Sequence, residues 1–279
     1  MRSSHRVLWG VTTSTLCFFA FLTLPFILAT ALHAQNAEQV EVSPPLHRVE
    51  SPAAAASAQE LEDRGDSLQA VKDYLDAIDY YQAALHKDPS NAVLMNKTGI
   101  SQLQLQRYKD ARRSFEHAIK VDGKYANAYA NLGVVYYKQG SFAKAIRYYD
   151  KAIELDSSES VFYNNRAAAF FVKKEFEKAM ADYNKALQLD PDIFERASRG
   201  PGVQAKLPSP EDIAHYDYVL AKLFARNGSP ERSLHYLRKA MEEGYRDIKD
   251  VYKDSAFSEV RKDPRFAQLM ASKPVSIQD

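Results

Sequence analysis

Proton transfer, hydrolysis or metal chemistry in this chain would have to come from its histidines, acids and arginines. The seven histidines stand at 5, 33, 47, 86, 117, 215 and 235, and no two are spaced as a ligand pair on one helical turn. His215 and Asp217 lie two residues apart, which on a helix turns them to different faces. Arg199, Asp212 and His215 are the set that would serve an enzyme-associated or weakly catalytic protein. Asp73, Asp76 and Asp79 have helical spacing but sit among tyrosines and outward positions, as a solvated face does. No H-E-x-x-H, Walker loop, G-x-G-x-x-G after a strand, or G-x-S-x-G is present. Cys17 is the single cysteine, so an intramolecular disulfide and thiol-rich metal sites are excluded. The reading is a protein that is not an enzyme and takes no cofactor and no metal. Its chemistry is recognition.

A period positions the residues that would do the recognising. Ala84, Ala118, Ala152 and Ala186 recur every 34 residues. Gly65, Gly99, Gly133 and Ala167 keep the same step, as do Ala77, Ala111, Ala145 and Ala179. Tyr81, Phe115, Tyr149 and Tyr183 form an aromatic column. Small residues let two helix backbones approach, and the aromatic fills the space beside them. One helix pair cannot bury such a face alone, so the copies must stack. The expected fold class is an all-α helical-hairpin solenoid.

The period and its columns resemble the tetratricopeptide (TPR) repeat family. In that register the repeats are 58-91, 92-125, 126-159 and 160-193, with Pro89 and Pro191 near the ends of the first and fourth. Leu61, Met95, Tyr129 and Tyr163 take the large fourth position, and Tyr74, Tyr108, Phe142 and Phe176 the seventeenth. The resemblance implies that the first helix of each pair lines a concave groove. Its peptide-binding residues would then be Asn96, Ile100, Asn127, Asn131, Val134, Tyr137, Lys138, Asn164 and Phe171. The asparagines would bond an extended backbone from either side, and Val134, Tyr137 and Phe171 would anchor apolar groups. The competing reading packs these residues against neighbouring repeats, with Asn131 capping or bridging helices. A carboxylate clamp is not expected. Asn131 fits its middle asparagine, but Asn96, Ile100, Val161 and Asn165 depart from the rest.

Four clear repeats over 58-193 leave flanking segments. Residues 1-34 place Arg2, His5 and Arg6 before an uncharged run from Val7 to Leu32. That is the layout of a signal peptide, with Ala29-Thr30-Ala31 or Ala34 as the cleavage point, or of an uncleaved signal-anchor. Both put the repeats outside the cytoplasm, in the periplasm or anchored to the inner membrane of a bacterial envelope. Leu16 and Phe18 flank Cys17 against a lipoprotein signal. Residues 35-57, rich in Ala, Ser and Pro, read as a flexible linker. Residues 194-213, with Gly200-Pro201-Gly202, Pro208 and Pro210, read as an insert, either a lid or a surface excursion. Residues 214-279 hold a degenerate repeat (Ala221, Phe224, Gly228, Ser233, Leu237, Ala240) and C-terminal capping helices closed by Val260, Phe266, Leu269 and Met270.

Net charge bounds the partner. With 37 Lys and Arg against 36 Asp and Glu, the chain carries +1. A nucleic-acid surface needs a basic excess, so none is expected. Lys109, Arg112, Arg113, His117 and Lys120, with Lys144, Arg147 and Lys151, form a basic run whose scattered acids mark a solvated helix face. The expected function is a protein-protein interaction scaffold holding a peptide or helix of unidentified identity. The alternatives are a membrane-anchored assembly factor, the weakly catalytic reading above, and self-association through unpaired solenoid ends.

Overall fold

The computed structural model describes residues 50–195 and 209–272. The signal segment, most of the linker and residues 196–208 of the insert, with Arg199, lie outside the described residues. Among the described residues no helix is long and apolar enough to cross a membrane.

Eight helices pair in sequence: α1 (Ala58–Ala70) with α2 (Tyr74–Lys87), α3 (Ala92–Gln104) with α4 (Tyr108–Val121), α5 (Ala126–Lys138) with α6 (Phe142–Leu155), and α7 (Ser160–Val172) with α8 (Phe176–Leu189). Every first helix has 13 residues and every second one 14. The columns explain the pairing. Gly133 lies under the ring of Tyr149, and a Cβ there would stand 2.6 Å from Tyr149 Cε1. Gly65 beneath Tyr81 and Gly99 beneath Phe115 repeat the arrangement. The alanine columns are fully buried beside these rings.

Two kinds of turn keep the step at 34. Between the helices of a pair, Lys72, Gln106, Gly140 and Lys174 all take the left-handed conformation, with φ between 58° and 72°. Only one is glycine, so three turns bear a strain of ~1 kcal/mol that the packed hairpins hold in place. Between pairs, Asp88, Asp122, Asp156 and Asp190 close the second helices. The side chains of Asp122, Asp156 and Asp190 each accept the backbone N–H two residues on, at 2.9–3.0 Å. This aspartate column also has a 34-residue step.

Helix α1 starts at a capping box, with Ser57 and Glu60 bonding each other's backbone N–H. The end of the expected linker is held against α2: Tyr80 donates to the Glu50 carbonyl and Lys87 to that of Ala54.

The insert is shorter than expected at its C-terminal side. Pro210 does not stop a helix but starts one. Helix α9 runs Pro210–Arg226 with Ser209 as its cap and Pro210 in the first turn, where a missing N–H costs nothing. It pairs with α10 (Pro230–Glu242), and Ala221, Phe224, Leu237 and Ala240 bury as the degenerate repeat requires. Gly228 supplies the left-handed turn. Three 3₁₀ segments (Ile248–Tyr252, Ser255–Phe257, Val260–Lys262) and α11 (Pro264–Ser272) follow. They place Val251, Phe257, Val260, Phe266 and Leu269 against the α9–α10 core, with Met270 partly buried on it.

Gly133→Ala is expected to lower unfolding stability by ~1–3 kcal/mol in urea melts, because the Tyr149 ring must shift. Gly123→Ala, whose Cβ meets nothing nearer than the Ile119 carbonyl at 3.9 Å, should change it by less than ~0.5 kcal/mol.

Candidate functional site

The first helices α1, α3, α5 and α7 form one layer, and α3 touches α5 as α5 touches α7. Matching heights of successive helices are bonded together across this layer. Lys97 on α3 donates to Glu62 Oε1 at 2.7 Å and Asp66 Oδ2 at 2.6 Å on α1. Burial alone would lower the Lys97 pKa, but these two bonds hold it above its ordinary value. Asp66 also accepts from the Tyr81 hydroxyl at 2.8 Å. Gln69 on α1 donates to Ser101 on α3 at 3.1 Å.

The expected asparagine contacts fall in the same layer. Asn131 Nδ2 donates to Asn96 Oδ1 at 2.9 Å, and Asn96 Nδ2 donates to the Tyr125 hydroxyl at 3.3 Å. Asn96 and Asn131 are buried and tie α3 to α5, so they bridge repeats instead of facing a ligand. Asn164 is buried too, and its Oδ1 has no hydrogen-bond partner among the described residues. Val134 is fully buried, Tyr137 is 4% exposed and Phe171 2%. Tyr137 sets its ring edge-on to Phe142 at 5.3 Å, and Phe171 does the same to Phe176. The expectation that these three stand open as anchors is therefore corrected: neighbouring rings and helices occupy their surfaces. Ile100 and Asn127 are half-buried and Lys138 is exposed. Val93, at 42% exposed, and Gln104 lie on the same layer.

The ring over Phe171 belongs to α9. His215 stands 5.2 Å from Phe171 and 4.5 Å from Phe176, and Tyr216 stands 5.4 Å from Tyr183. Burial lowers the His215 pKa, against smaller opposing effects of Asp212 and Asp247. Asp212 is engaged in capping, with Ser209 Oγ at 2.7 Å from its carboxylate. Among the described residues no acid is bonded to His215.

Two tetratricopeptide repeat family models match this layered region, one over residues 96–160 and one over 160–193. The chain carries tetratricopeptide repeats. Among solved structures, the thermophilic TPR protein TTC0263 of Thermus thermophilus is 19% identical, with a TM-score of 0.48, covering 77% of this chain and all of that one. The protein MamA is 20% identical, with a TM-score of 0.45, covering 71% of this chain and 95% of that one. YrrB, described as a TPR protein with an unusual peptide-binding site, is 19% identical, with a TM-score of 0.44, covering 71% and 92%. No curated protein matches the chain.

The outer faces of the TPR hairpins carry local ion pairs. Arg113 pairs with Asp110 at 3.7 Å and Lys151 with Glu154 at 2.9 Å, both between exposed side chains within one helix. Such pairs belong to a solvated face and contribute little. Arg166 is different. It grips Asp182 through two bonds of 2.7 and 2.8 Å and Asp150 at 2.7 Å, locking the third repeat to the fourth.

One buried acid stands apart. Asp217 on α9 is 1% exposed, meets Lys239 at 3.3 Å, and leaves Oδ2 without a partner among the described residues. Burial pushes its pKa up to about 6, with the Lys239 charge opposing. The contribution of Asp217 to folding is therefore greatest below pH ~4, where both states hold the proton, and is lost as pH rises through about 6.

Asn131→Ala should cost ~1–3 kcal/mol of unfolding stability, since Asn96 Oδ1 loses its donor inside the layer. A purely ligand-facing Asn131 would leave the melt unchanged. Asp217→Asn should flatten the stability-against-pH curve between pH ~4 and 7 and raise stability at pH 7 by ~1–3 kcal/mol, read by urea melts across that range.

Proposed function

We propose that the protein is a non-catalytic scaffold that holds a peptide segment or helix of a partner protein against the α1–α3–α5–α7 layer. The observation that carries this reading is the contrast within the layer. Its floor is bonded across repeats by Asn96, Asn131 and Lys97. Val93, Ile100, Gln104, Asn127 and Lys138 keep accessible surface above that floor. A floor with fixed hydrogen bonds costs little ordering on binding, while apolar and polar side chains at its surface offer contacts of both kinds. The asparagine set narrows to Asn127 as the direct contact, with Asn96 and Asn131 holding the shape beneath. Affinity on the order of micromolar is expected, because a flexible ligand must be ordered.

Export is part of the proposal. Arg2 and Arg6 before the uncharged Val7 to Leu32 run support a periplasmic or membrane-anchored protein facing the periplasm. The 26-residue length of that run favours, as a second reading, an anchored assembly factor of an envelope complex.

Selection of binders from a displayed peptide library on the full chain should yield ligands whose affinity falls at least tenfold in an Ile100→Asp, Lys138→Glu double variant. Ligands that bind the variant as well as the wild type would move the site off this layer.

A further inference from the structure

Helix α9 does not stack as a fifth repeat would. The first helices of the first three repeats meet at matching heights, with Asn131 on Asn96 and Lys97 on Glu62. By the alignment of Ala221 with Ala167's column, His215 corresponds to Val161 near the start of α7. Yet His215 lies on Phe171 and Phe176, at the far end of that hairpin. Tyr216 meets Phe171 at 6.1 Å and Tyr183 at 5.4 Å. The first two turns of α9 therefore cross the C-terminal end of α7.

The helix is also longer than its counterparts. It has 17 residues against 13, and the surplus is the N-terminal turn Pro210–Glu211–Asp212–Ile213. Asp212 in that turn lies near enough to the buried Tyr137 hydroxyl to add to the upward pKa shift that burial causes. The Tyr137 hydroxyl has no hydrogen-bond partner among the described residues. Tyr137 and Phe171 hold equivalent positions on α5 and α7, and both are covered.

We propose that the C-terminal end of α7, with Phe176, forms a helix-docking surface that the first two turns of α9 occupy in cis. A partner helix of the same pattern takes this place: an aromatic pair in its second turn, as in His215 and Tyr216. The inference rests on the interaction reading above and names the chemistry of its ligand. The rings of the incoming helix then pack on Phe171 and Phe176 as those of His215 and Tyr216 do. Because the protein's own helix already sits there, the apparent affinity for the incoming helix is reduced by the fraction of time the surface is free.

The test uses a fluorescein-labelled synthetic peptide of residues 209–222, titrated by anisotropy into the full-length protein and into its His215→Asp variant. A charge among the Phe171 and Phe176 rings weakens the cis contact. The expected result is at least tenfold tighter peptide binding by the variant, with faster amide exchange over 210–216 and unchanged exchange over 126–189. If exchange over 126–189 also rises, His215→Ala replaces it and should give the same ordering with smaller amplitude. Equal affinity for both proteins, or no binding to either folded protein, overturns the cis-occupied surface. Library-selected ligands that remain sensitive to Ile100→Asp, Lys138→Glu in that case leave the interaction reading standing. Loss of that sensitivity removes the interaction reading separately.

Discussion

The first three hairpins close on an aromatic ring lying against a helix backbone. At Gly65, Gly99 and Gly133 an added Cβ would fall 2.5–2.6 Å from the facing ring, so the position must be empty for the two helices to close. That contact sets the distance between helices. The alanines at the second and third columns then bury completely, and the next hairpin meets a surface of fixed shape. Ala167 in the fourth repeat shows that a methyl is tolerated where Tyr183 settles around it. The column is thus a limit on size, not a demand for glycine. Stability in such a stack is a sum of hairpin and neighbour terms, so a change at one ring is felt chiefly by the adjoining repeats.

The polar contacts serve a different end. Asn131 on Asn96, Lys97 between Glu62 and Asp66, and Arg166 between Asp150 and Asp182 are satisfied in one register of the repeats. If the repeats slid, the buried asparagines and the half-buried charges of Lys97 and Arg166 would lose their partners. The same bonds stiffen the layer on which binding is proposed. Recognition and register therefore share residues, which is why side chains expected to face a ligand are found beneath the surface.

Much of the fold is legible in the sequence because a 34-residue step multiplies weak signals. The alanine, glycine and ring columns give the pairing, and Gly228 with Ser233 and Leu237 gives the fifth hairpin. The aspartate column at 88, 122, 156 and 190 carries the same step and was open to the same reading. The turns at Lys72, Gln106 and Lys174 were not legible, since packing imposes a left-handed backbone on residues that do not favour it. Pro210 reads as a helix breaker until Ser209 is seen to cap it. The site was legible only in part. Periodicity identifies the face to which Tyr137 and Phe171 belong, but not what covers that face. The cover of Phe171 comes from His215 and Tyr216, more than forty residues beyond it, through ring contacts that no spacing rule encodes.

The last hairpin thus keeps the internal design of a repeat while docking across the end of its neighbour. The most direct measurement is the set of nuclear Overhauser contacts from the His215 ring in a selectively labelled, otherwise deuterated full-length protein. Cross-peaks to the Phe171 and Phe176 rings are the result this account predicts. Cross-peaks to Val161, at the opposite end of α7, would mean that α9 stacks in register as a fifth repeat and would contradict it.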